Sequence, residues 1–202
     1  MKTLLRQLLP WPLDRRIGPH MVAVATVFGA GTAAAADFSI GVGVGTDRGH
    51  VECAGAFPCD RSSSHGKLFA AYRINDAVDM QAVFFDAGRF KGGDTTPLGT
   101  EFGGRFKASG FGLTGGYRWS LSPSWSLAGR AGIAAVRTRF DYARPGLDSV
   151  SKTTLQPLAG VSLAYAITPT VGLSLDYDLT RMKVHTSRGS LQMLGLAAQY
   201  AF

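Results

Sequence analysis

The chain has 202 residues, 26 of them glycine, with 46% hydrophobic and 17% charged side chains and a formal net charge of +7. That length suits one domain preceded by a processing segment. The charge excess is too mild to point to nucleic acid, and only two cysteines are present, Cys53 and Cys59.

Residues 1–20 carry Lys2, Arg6, Arg15 and Arg16 against the single acid Asp14. The apolar stretch MVAVATVFGAGTA follows, then the small run Ala33 to Ala36. This is the three-part layout of a secretory signal peptide. An A-x-A site at Ala34–Ala36 makes residues 1–36 the signal peptide and 37–202 the mature domain. The apolar part, about 13 residues, is too short to cross a bilayer of roughly 30 Å as a helix. Cleavage leaves 17 Lys+Arg against 13 Asp+Glu. Export separates the mature chain from nucleic acid, so no nucleic-acid partner is expected. It also places Cys53 and Cys59, six apart in a Gly/Pro-containing segment, where one disulfide is expected. His50 and His65 flank the pair and leave zinc as the lesser alternative; no metal or cofactor is expected.

From there the chain alternates with period two, the signature of half-buried strands. In 38–46, Phe38, Ile40, Val42 and Val44 alternate with serine and glycines. In 66–75, Leu68, Ala70, Tyr72 and Ile74 face one way. The stretch 78–88 is the weakest: Met80, Ala82 and Phe84 share a face, but Val83 and Phe85 spoil the other. Clean alternation returns in 108–119, 125–137, 155–167 and 171–180, and the chain ends on LQMLGLAAQYAF. Eight strands of about ten residues match the length of transmembrane β-strands. Connections at 47–65, 89–107, 138–152 and 181–189 are long, whereas those at NDA, SLSPS and TPT are tight. Long loops on one rim and short turns on the other is the asymmetry of outer-membrane barrels. The predicted fold is all-β: an eight-stranded antiparallel up-and-down transmembrane β-barrel. A helix over the uncharged run 153–175 is disfavoured by Pro157 and Pro169 and by the period. A soluble lipocalin-like periplasmic ligand carrier would reverse the faces, but the polar face here is glycine, alanine and serine, which suits a cramped interior.

The segments GKLFAAYRIND, GFGLTGGYRWSLSPSWSLAGRAGI and AAQYAF resemble the small outer-membrane barrel superfamily, the OmpA transmembrane domain and its OmpX-like relatives. The resemblance covers 38–202. It implies that Tyr200 and Phe202 form the C-terminal signal read by the barrel assembly machinery. It does not carry over the peptidoglycan-binding activity of OmpA's further domain.

If the apolar face meets lipid, Lys67, Arg73, Gln81, Arg118, Arg130, Gln156, Asp176, Asp178 and Gln199 point inward. Buried charges must pair. Equal depth along their strands predicts an Arg130–Asp176 pair, with Asp178 helped by Lys67 or a second arginine. Such a cluster is a structural plug or, as the resemblance implies, a narrow gated ion pathway. Catalytic residues are not expected. A lipid A-modifying hydrolase would need a His-x-Ser pair, for which VHTSRG offers His185 and Ser187, but no suitable acid follows. The outer rim is basic, with Arg137, Arg139, Arg144, Arg181, Lys183 and Arg188. Arginine grips phosphate well, so the expected partners are outer-membrane lipid and lipopolysaccharide, with a host or matrix polyanion as the alternative. The expectation is a monomeric surface-interaction protein of the bacterial outer membrane.

Overall fold

The computed structural model describes residues 37–50, 60–95, 101–143, 148–184 and 187–202. The proposed signal segment and both cysteines lie outside them. Eight strands run in chain order: β1 (Phe38–Gly49), β2 (Ser62–Arg73), β3 (Val78–Thr95), β4 (Glu101–Ser120), β5 (Trp125–Tyr142), β6 (Val150–Ala166), β7 (Val171–Val184) and β8 (Ser187–Ala201). Each pairs antiparallel with its neighbours, and β8 closes on β1. Closure leaves no lone edge strand, the condition for a sheet to cross lipid.

The faces follow the parity of the sequence. Val42, Val44, Leu68, Phe84, Phe111, Leu113, Ile133, Leu173 and Leu196 all point out and are exposed. Their neighbours Gly43, Lys67, Phe85, Gly112, Ala134 and Ala197 point in. The outward apolar band is therefore a lipid-facing surface. At its short-turn end sits a girdle of outward aromatics. Tyr117 and Trp119 meet at a tilt with centroids 4.9 Å apart, as do Trp125 and Tyr165, and Tyr200 meets Phe202 edge-on at 5.0 Å. Aromatic rings favour this membrane–water boundary. The Phe202 amide donates to Phe38 O at 2.9 Å, so the last residue helps close the wall.

Two features depart from the sequence-based expectation. First, three of the long connections are largely strand. β3 and β4 extend to Thr95 and from Glu101, β5 to Tyr142, β6 from Val150, and β7 and β8 leave only residues 185–186 between them. Alternation continues there with polar residues outward, so hydropathy alone hid these extensions. Second, the register of β3 shifts between Asp86 and Arg89. The irregularity reverses the parity, so Phe90 joins Phe85 inside. The Val83 and Phe85 that spoiled the pattern are interior packing residues.

Candidate functional site

The barrel interior holds charge in tiers. Nearest the short turns, Arg118 Nη2 lies 3.3 Å from Asp79 Oδ2. Beside this pair a polar recess of about 420 Å³ opens at the turn-side mouth, with Arg73 and Arg118 in its lining. In the next tier, Lys67 Nζ donates to Asp176 Oδ2 at 2.7 Å and to Asp178 Oδ2 at 2.8 Å. Arg130 Nη2 stands 3.6 Å from Asp176 Oδ1, and its Nη1 donates to Ser162 Oγ at 3.1 Å. Two cations thus face two carboxylates. Sequence depth put Arg130 first for Asp176; the structure gives Lys67 the shorter contacts with both acids. Towards the long loops, His65 Nδ1 stands 2.5 Å from Asp47 Oδ1, with both side chains buried.

Small residues make room for this network. A Cβ on Gly160 would run into the Asp178 carboxylate, and one on Gly116 would meet Asp79 and Arg130. Asp79 and Asp47 were not picked out in the sequence, and His65 figured there only as a flank of the cysteine pair; in the structure it pairs with Asp47. Their partners lie on other strands, and only the barrel's closure brings them together.

Above the charges the interior turns apolar. Phe85, Phe90, Phe106, Phe140, Val136 and Leu191 are 0–4% exposed. The rings of Phe106 and Phe140 lie 4.6 Å apart. This packing fills the barrel beneath the long-loop rim.

Outside, the apolar band ends at Val44, Phe84, Phe111, Ile133, Leu155 and Leu179. Beyond it, outward cations stand on five strands: Arg48 on β1, Arg89 on β3, Arg105 and Lys107 on β4, Arg137 and Arg139 on β5, and Arg181 and Lys183 on β7; Thr46, Asp86, Ser109 and Ala135 intervene on the first four, whereas Arg181 follows Leu179 directly. Arg139, Arg181 and Lys183 were expected on loops and instead stand on strand extensions, while Arg137 lies within β5 as expected. Lys107 pairs with Asp86 at 3.1 Å and Arg139 with Asp141 at 2.8 Å. Among the described residues, no carboxylate pairs with Arg137, Arg181 or Lys183. Arg188 faces Lys183 in the β7–β8 ladder. Arg144 and His185 lie outside the described residues, as do Cys53 and Cys59, and Ser187 opens β8.

A closed eight-stranded barrel with an apolar outer band and a packed polar interior defines the class: an outer-membrane β-barrel. The family model of the OmpA-like transmembrane domain matches residues 33–197, and the chain belongs to that family. Among solved structures, Neisserial surface protein A is similar over 84% of this chain and 100% of its own, at 18% identity and a TM-score of 0.63. Ail, the attachment invasion locus protein of Yersinia pestis, crystallised with the heparin analogue sucrose octasulfate, covers 81% and 99% at 18% identity and TM-score 0.51. OprG of Pseudomonas aeruginosa covers 82% and 96% at 16% identity and TM-score 0.50. These likenesses are likenesses of fold. No curated protein sequence matches the chain.

Proposed function

We propose that the protein is a monomeric surface-interaction barrel whose cationic belt seats against the phosphates of outer-leaflet lipopolysaccharide. One observation carries this reading. The belt stands within a few residues of the apolar band on five strands, at the height where lipid headgroups begin, and six of its eight cations lack a carboxylate partner among the described residues. Arginine and lysine aimed outward at that depth match phosphate, which arginine holds in bidentate fashion. The packed interior supports a structural plug in preference to an ion pathway. In this account residues 1–36 direct export, Tyr200 and Phe202 are the segment handed to the assembly machinery, and a disulfide joins Cys53 to Cys59.

The test is folding of the full chain into phosphatidylcholine vesicles with and without lipopolysaccharide. Lipopolysaccharide should speed folding of the native sequence, and joint charge reversal of Arg137, Arg139, Arg181 and Lys183 should abolish that gain. An undiminished gain would remove the proposal. A second reading, a sulfated host or matrix polyanion, is favoured by the sucrose octasulfate bound to Ail. It predicts heparin binding that the same four reversals eliminate.

A further inference from the structure

The barrel wall has a seam. β5 pairs with β6 from Trp125↔Tyr165 to Phe140↔Val150, and β7 pairs with β8 from Val171↔Tyr200 to Val184↔Ser187. Between β6 and β7 the ladder runs only from Ala166↔Gly172 to Ala159↔Leu179. Both strands continue past that point, to Val150 and to Val184, without pairing to each other. Pro157 marks the break. It has no N–H to offer Arg181, the residue a continued register would bring opposite.

The Pro157 carbonyl accepts instead from the Thr180 hydroxyl at 2.9 Å. Its backbone therefore faces β7. In an antiparallel strand the peptide groups of alternate residues point to the same side. The N–H groups of Leu155 and Thr153 accordingly face the seam as well.

The position of the seam decides what it can take. Leu155, 72% exposed, is at the top of the apolar band. Open backbone below that height would be intolerable in lipid. At that height the seam has cations on either side, Arg181 and Lys183 on its β7 edge and Arg137 one strand beyond β6. Arg137 stands twelve residues past Trp125 and Lys183 twelve past Val171, so the two lie at equal depth. Charged side chains on a strand edge discourage another chain from adding a strand. Backbone N–H groups beside a guanidinium and an ammonium suit an anion.

We infer that the upper β6–β7 seam is a slot for one phosphate of an outer-leaflet phosphorylated glycolipid. Arg181 and Lys183 hold it from β7, and the Leu155 N–H donates from β6. The inference rests on the lipopolysaccharide reading above and gives it a single place on the wall.

The test uses the full chain folded into phosphatidylcholine vesicles with and without lipid A, read by the thermal unfolding midpoint. Lipid A should raise the midpoint of the native sequence. Pro157→Val restores an N–H and lets the ladder close, whereas the double variant Arg181→Gln/Lys183→Gln strips the cations. Each should weaken the apparent lipid A affinity about tenfold or more, while Arg73→Gln at the opposite, short-turn end of β2 keeps it. Full retention in either seam variant overturns the slot. Loss in Arg48→Gln on β1 together with that retention would leave the broader belt reading standing. No rise in the native sequence would overturn both. An equal rise from inorganic phosphate alone would overturn the glycolipid as its source. If Pro157→Val does not fold, amide exchange decides: lipid A should slow exchange at Leu155, and unchanged exchange there refutes the slot.

Discussion

At the scale of single residues, Lys67 is the centre of the interior. Its ammonium is buried and lies within 2.8 Å of two carboxylates, Asp176 and Asp178. Its ring neighbour Phe69, 5.8 Å from Nζ, offers no compensating negative charge beyond its π face. Lys67→Met would leave Arg130 against Asp176 alone and strip Asp178 of its cation. Breaking a buried pair by removing one partner typically costs about 3–5 kcal/mol. Reversible urea unfolding in micelles should show a loss of that size. A loss below about 1 kcal/mol, as for an exposed pair, would mean that the acids find other partners or water. The glycines beside the network carry the same logic. Gly160 faces the Asp178 carboxylate so closely that any Cβ must displace it. This is the physical reason the inward face is poor in large polar side chains at that depth.

At the scale of strands, legibility in the sequence varies with what each strand faces. β1, β7 and β8 read cleanly because lipid on one side and a cramped interior on the other enforce alternation. Above the membrane that contrast fades, so the extensions of β3, β4 and β5 read as loops. β3 read poorly for another reason: its inward residues Val83 and Phe85 are apolar and pack the interior, and the register shift after Asp86 then reverses its parity. A closed barrel has little use for a residue without an N–H, so Pro157 needs a special position in the wall. Its place is a wall position where the ladder to β7 has ended. The pairing predicts a local exchange pattern. Thr154 and Gln156, whose neighbours in the β5 ladder are Val136 and Ala134, should be protected. Leu155 and Thr153, facing the seam, should exchange markedly faster in micelles free of lipopolysaccharide. Uniform protection along β6 would show that the wall is sealed there.

At the scale of the whole molecule, three layers of chemistry are set by one periodicity. Outward apolar residues meet lipid, outward cations meet what lies above the lipid, and inward residues fill the barrel with ion pairs below and aromatic rings above. The class and strand number were legible from alternation and turn lengths. The charge tiers were legible only as a list of inward residues. Their pairing depends on which strands face one another across the interior, which no local spacing records. The belt was legible as positive charge but was assigned mostly to loops, because its outward alternation continues through polar positions.

The measurement that tests the account most directly is gel migration of the protein from the membrane fraction, with and without boiling. A closed lipid-facing barrel should stay folded in cold detergent, migrate apart from its boiled form, and remain with the membranes. A single band at both temperatures, with the protein released into the soluble fraction, would mean that the apolar face does not meet lipid, and it would contradict the account from the residues upward.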